Sequence, residues 1–62
     1  MKETIKDAEN IEATIPLLEE HLESLKKLGE TLDNETIKVF IAETKHMIAQ
    51  CKNDSARIRN NN

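Results

Sequence analysis

The segment Glu43-Thr44-Lys45-His46 has the residue types and spacing of a metal site. A carboxylate and an imidazole three residues apart share one side of a helix, and ferritin-like bundles hold metal pairs with that unit. A chain folded back near residue 31 would bring Glu19 and Glu20 level with it. The direction is wrong, however. At 100° per residue, His46 points about 150° away from the middle of the stripe made by Ile37, Phe40, Ile41, Thr44 and Ile48. A ligand must point into the bundle, so neither a metal nor another cofactor is expected.

The remaining reactive side chains are read in the same way. His21 lies beside Leu22 and flanks the apolar seam, the place of a boundary histidine rather than a base. No Asp/Ser/His or Cys/His set recurs at a spacing that would activate a nucleophile, so no catalytic residue is assigned and the chain is not read as an enzyme. Cys51 falls on the apolar stripe and behaves as a small hydrophobe, because a reactive thiolate needs a cationic, exposed setting and only Lys52 adjoins it. A single cysteine forms no internal disulfide, which fits a reducing, cytoplasmic location.

Lys38, Lys45, Lys52 and Arg59 recur every seven residues as a positive line along one flank of a helix. Such a line is either a track for phosphates or a solvated flank that pairs with acids on a neighbouring helix. Glu12, Glu19, Glu23 and Glu30 are available for pairing. The track reading lacks interleaved aromatics, and the chain carries a net charge of −3. Nucleic acid is therefore not the expected partner.

The elements that would position these residues are two helices. In the first half the seam falls at Ile11, Ile15, Leu18, Leu22, Leu25 and Leu32, in steps of three and four apart from one gap. Leu28 widens it toward the end. Gly29 occupies the next seam position and has the character of a helix-ending residue in the left-handed region. Asp33 then reads as an N-cap, with Glu35 in the first turn and Leu32 and Ile37 at the spacing of a hydrophobic staple. In the second half the seam runs through Ile37, Phe40, Ile41, Met47, Ile48 and Cys51. With about three apolar positions per heptad, this stripe suits a helix that touches two neighbours.

Pro16 interrupts the pattern, since inside a helix it removes one backbone hydrogen bond. Either residues 4–13 form a separate arm, or one helix runs through with a kink. The apolar register does not slip across the proline, which favours the kinked helix. The expected single domain, 1–62, thus has a first helix at about 4–28, a turn at 29–33, a second helix at about 33–58 and a frayed tail at 59–62. Residues 1–32 carry four lysines against eight acids, and residues 33–62 carry five Lys/Arg against four acids. The first helix is acidic and the second mildly basic.

The fold class is all-α: an antiparallel helical hairpin, with no apolar run near the ~18 residues of a membrane span. A chain of 62 residues has too small an interior of its own, so dimerisation into a four-helix bundle or docking on a helical partner is expected. The function that follows is a small non-enzymatic interaction module, a regulator or adaptor that acts through helix–helix packing.

Two resemblances bear on this. Leu22-Glu23-Ser24-Leu25, Asp33 through Phe40 and the closing Ala56-Arg57-Ile58 resemble a family of short helical proteins of unknown function from spore-forming bacteria. The Glu-Glu-Pro-x-Tyr tail associated with that family is absent, and the likeness implies no activity. Leu25-Lys26-Lys27-Leu28 and Leu32-Asp33-Asn34-Glu35 are similar to the bend of the Rop family of plasmid RNA-binding proteins. That likeness implies a dimer of hairpins and gives the alternative function, RNA binding through the basic flank. The aromatic and amides with which that family's first helix meets RNA have no counterpart, for the corresponding stretch holds Pro16, Glu20 and Glu23.

Overall fold

A computed structural model describes residues 3–62. It contains two helices, α1 (Ile5–Thr31) and α2 (Glu35–Asn60), packed antiparallel along their length. At 1.5 Å per residue each is about 40 Å long, in keeping with the 44 × 16 × 16 Å extents of the chain. The radius of gyration, 14.4 Å, exceeds the roughly 10.6 Å of a compact chain of this length. The hairpin is a rod.

Both helices start on side-chain caps. Thr4 and Asp7 form a reciprocal capping box, with the Thr4 amide donating to Asp7 Oδ2 at 2.8 Å and the Asp7 amide to Thr4 Oγ1 at 3.3 Å. Helix α1 runs unbroken through Pro16, which is exposed on its outer side. There the lost hydrogen bond leaves a carbonyl that water can reach.

The turn is shorter than its sequence suggests. Gly29 has no positive φ and does not end α1, which continues to Thr31 and closes with the Leu32 amide donating to the Leu28 carbonyl at 2.9 Å. Gly29 keeps its seam position instead, against Ile37 and Ile41. Nor is Asp33 the N-cap of α2. Asn34 accepts from the Thr36 amide at 2.8 Å, while Asp33, one residue earlier, pairs with Lys38 Nζ at 3.2 Å. The expected hydrophobic staple is thus replaced by an ionic one at the same N′ and N4 spacing. The tail is not frayed at Arg59 either. Helix α2 reaches Asn60, and Asn62 Nδ2 donates to the carbonyls of Ile58 (2.8 Å) and Glu3 (3.1 Å).

The core is a two-position seam. On α1 it is Ala8, Ile11, Ile15, Leu18, Leu22, Leu25 and Gly29, all buried or half-buried. On α2 it is Ile37, Ile41, Thr44, Ile48, Cys51, Ser55 and Ile58. Steps of three and four alternate without a break, the signature of helices meeting along one line. Ala8 and Ile58 are sealed, at 0% and 1% exposure, at the open end of the hairpin. The two buried hydroxyls are satisfied within their own helix: Thr44 Oγ1 donates to the Phe40 carbonyl at 2.8 Å and Ser55 Oγ to the Lys52 carbonyl at 3.1 Å.

A Cβ added at Gly29 would meet Ile37 Cγ2 at 3.5 Å and Ile41 Cδ1 at 3.7 Å, both ordinary contacts. With helical φ and space available, Gly29→Ala should stabilise the fold by about 0.5–1 kcal/mol, chiefly by restricting the unfolded chain. Thermal unfolding should shift upward by a few degrees. A lower midpoint would show that the helices cannot admit a methyl group there.

Candidate helix-docking surface

One bidentate ion pair joins the two helices near the open end of the hairpin, and a second, local one closes the start of α2. Arg59 grips Glu12 with both arms of its guanidinium, Nε to Oε2 and Nη2 to Oε1, each at 2.6 Å. Lys38 meets Asp33 at the opposite end and also lies 3.5 Å from Glu35. The Glu12–Arg59 contact and the approach of Gly29 to Ile41 place residues on the two helices level when their numbers sum to about 70. On the same flank, Lys52 stands level with Glu19 and Lys45 with Lys26. This is the charged flank.

The ionisation of its best pair follows from the geometry. Hydrogen bonding from Arg59 is the main reason the Glu12 carboxyl sits below its usual pKa of 4.5, with coulombic attraction to the same guanidinium adding to it against some desolvation. The same contact raises the Arg59 guanidinium further above its ordinary value. Arg57 is raised likewise by its hydrogen bond to Glu3 at 2.9 Å, and it also lies 3.8 Å from Asp54. Arg59 thus holds the first helix, and Arg57 the residue just ahead of its cap.

The other flank is different in kind. Alignment places Leu28 level with Phe40 and His21 with Met47, all on the side of the seam away from the Glu12–Arg59 pair. Leu28 is 46% exposed, Phe40 48% and Met47 46%. Leu17, one position further round α1, is the most exposed large apolar residue, and Leu32 is exposed at the tip. Half of a large side chain is roughly 100 Å². Leu28, Phe40 and Met47 together expose on the order of 300 Å² of apolar surface, about the size of the largest patch on a typical monomer, which is often functional. No protein family, no curated protein and no solved structure matches this chain.

Of the twelve seam residues read from the sequence, Ile11, Ile15, Leu18, Leu22 and Leu25 on α1, and Ile37, Ile41, Ile48 and Cys51 on α2, lie between the helices. Leu32, Phe40 and Met47 do not. One neighbouring helix covers two positions per heptad, and these three fall at the tip or at the third position. Ser55 was missed because its side chain is polar, although counting sevens from Ile41 and Ile48 reaches it. The basic line is divided: Lys38 and Arg59 are held by carboxylates, and no ion pair to Lys45 or Lys52 occurs among the described residues. Glu43 and His46 are both exposed, and no group of three or more metal-binding side chains occurs among the described residues. No described helix is long and apolar enough to cross a membrane.

The Glu12–Arg59 pair gives a pH-dependent test. A carboxyl whose folded pKa is depressed contributes stability above its unfolded pKa and loses it as pH falls through the folded value. Glu12→Gln should therefore unfold at a lower temperature than the parent at pH 7 and low salt. The gap should close on acidification below the ordinary carboxylate range near 4.5. Thermal scans at matched protein concentration read this directly, and a gap that persists at pH 2–3 would mean the side chain acts by packing.

Proposed function

We propose that this chain is a small, non-enzymatic protein–protein interaction module, a regulator or adaptor that works by packing helix against helix. It assembles as a dimer of hairpins, a four-helix bundle. The observation that carries the reading is the asymmetry of the hairpin: Leu28, Phe40 and Met47 stand half-exposed on one flank, opposite a flank whose ends are tied by ion pairs. A third apolar position per heptad has value only where a further helix covers it. A lone free thiol, half-buried at Cys51, fits a reducing cytoplasmic setting.

RNA binding through Lys38, Lys45, Lys52 and Arg59 has less support. Lys38 and Arg59 already face carboxylates, which leaves a short basic stretch on a net acidic chain. Counterion release from so few phosphate contacts gives weak binding. RNA titrated at low and high salt should show no saturable, salt-sensitive complex.

Self-association makes stability depend on concentration. The unfolding midpoint should rise over a hundredfold concentration series, and sedimentation should give a mass near twice 7.1 kDa. A monomer with cooperative unfolding and a concentration-independent midpoint would refute the assembly.

A further inference from the structure

We infer that two copies of this chain join through the Leu28/Phe40/Met47 flank with their turns at the same end, the two-fold axis running along the hairpin. The inference rests on the self-association proposed above and specifies its face and its direction.

The size of the flank suits a second copy. Its 44 by 16 Å outline offers about 700 Å² per protomer, near the ~800 Å² per partner of a standard stable interface. The opposite flank is a poor alternative, because docking there would desolvate Glu12, Arg59, Asp33 and Lys38.

Two independent features set the direction. The first is where the apolar surface lies along the rod. Leu28 and Phe40 sit near the turn, with Met47 next, whereas the open end of the same flank carries Thr14, Asp54 and the Arg57–Glu3 pair, with Leu17 one position further round α1. Turns at the same end put Leu28 and Phe40 against Phe40 and Leu28 of a second copy. Turns at opposite ends, fully overlapped, put them against Asp54 and its neighbours. Burying apolar groups against charge forfeits their transfer energy and strands the carboxylate.

The second feature is charge. An axis along the rod brings α1 of one copy beside α2 of the other, so each acidic helix lies between two basic ones. An axis across the rod brings α1 beside α1. Residues 1–32 carry a net −4 and residues 33–62 a net +1, so the first arrangement is attractive and the second sets like charges together. All four neighbouring contacts are then antiparallel, the up-down-up-down plan of simple bundles.

The experiment measures distances in the assembled protein. In a Cys51→Ala background, Asn10→Cys and Thr31→Cys are spin-labelled separately, both sites being exposed on α1. They lie about 30 Å apart along the helix at 1.5 Å per residue. Turns at the same end keep both inter-copy distances well below that value. Any antiparallel dimer, in register or staggered, must push at least one to about 30 Å or beyond. In parallel, the double variant Phe40→Glu/Met47→Glu should lose the dimer, and Val39→Glu, on the outer face, should retain it. One long distance overturns the direction, and a Phe40→Glu/Met47→Glu protein that still dimerises overturns the face. In either case self-association survives. A parent chain that is monomeric at every concentration removes both this inference and the reading beneath it. If the double variant unfolds, the two label distances decide.

Discussion

One helix can cover only two positions per heptad of another. Every notable property of this hairpin follows from that limit. In α2 the covered positions hold Ile37, Ile41, Thr44, Ile48, Cys51, Ser55 and Ile58, and the third apolar position, with Phe40 and Met47, stands outside. No rearrangement within the chain can cover it, since α1 is the only other element among the described residues. A wide stripe on a helix with a single neighbour is a surplus, and in water a surplus of apolar surface drives association.

The ion pairs turn this surplus into a directional feature. Glu12–Arg59 and Asp33–Lys38 are exposed, and pairs of that kind add little to stability. Glu12–Arg59 alone of the two joins α1 to α2, and it forms in the register in which Leu28 stands level with Phe40 and His21 with Met47. Sliding α2 by one heptad would break the Glu12–Arg59 pair and shift Ile58 off its sealed place at the open end. The register that closes the charged flank thus also builds the apolar one.

Much of this was legible in the sequence, and the failures have local causes. Alternating steps of three and four announce both helices and most of the seam. Gly29 misled because glycine signals a helix end only where the chain needs positive φ; here it serves as a small seam residue inside the helix. Asp33 and Asn34 are equally good caps by type. Choosing between them depends on Lys38, one turn into α2, which draws Asp33 away. The width of the second stripe was visible from composition, but which residue of each three lies outside depends on the register, and long-range pairs set that. The tail is held by Asn62 reaching the Glu3 carbonyl, a contact that no periodicity announces.

The distribution of side-chain sizes along the seam follows the same register. Taking residues whose numbers sum to about 70 as level, Leu18 faces Cys51, Leu25 faces Thr44, Ile15 faces Ser55 and Ile41 faces Gly29. Four layers of the seam thus join one large residue to one small one, while Leu22 faces Ile48 and Ile11 faces Ile58, so apolar bulk is enclosed at only two levels. A miniprotein that must stand alone does the reverse and places its biggest residues inside, because they remove the most surface from water. This chain has one aromatic residue, Phe40, and it is 48% exposed. The side chain able to contribute most to burial occupies a place that α1 does not cover, so the packing of the seam and the exposure of the flank are consequences of one arrangement.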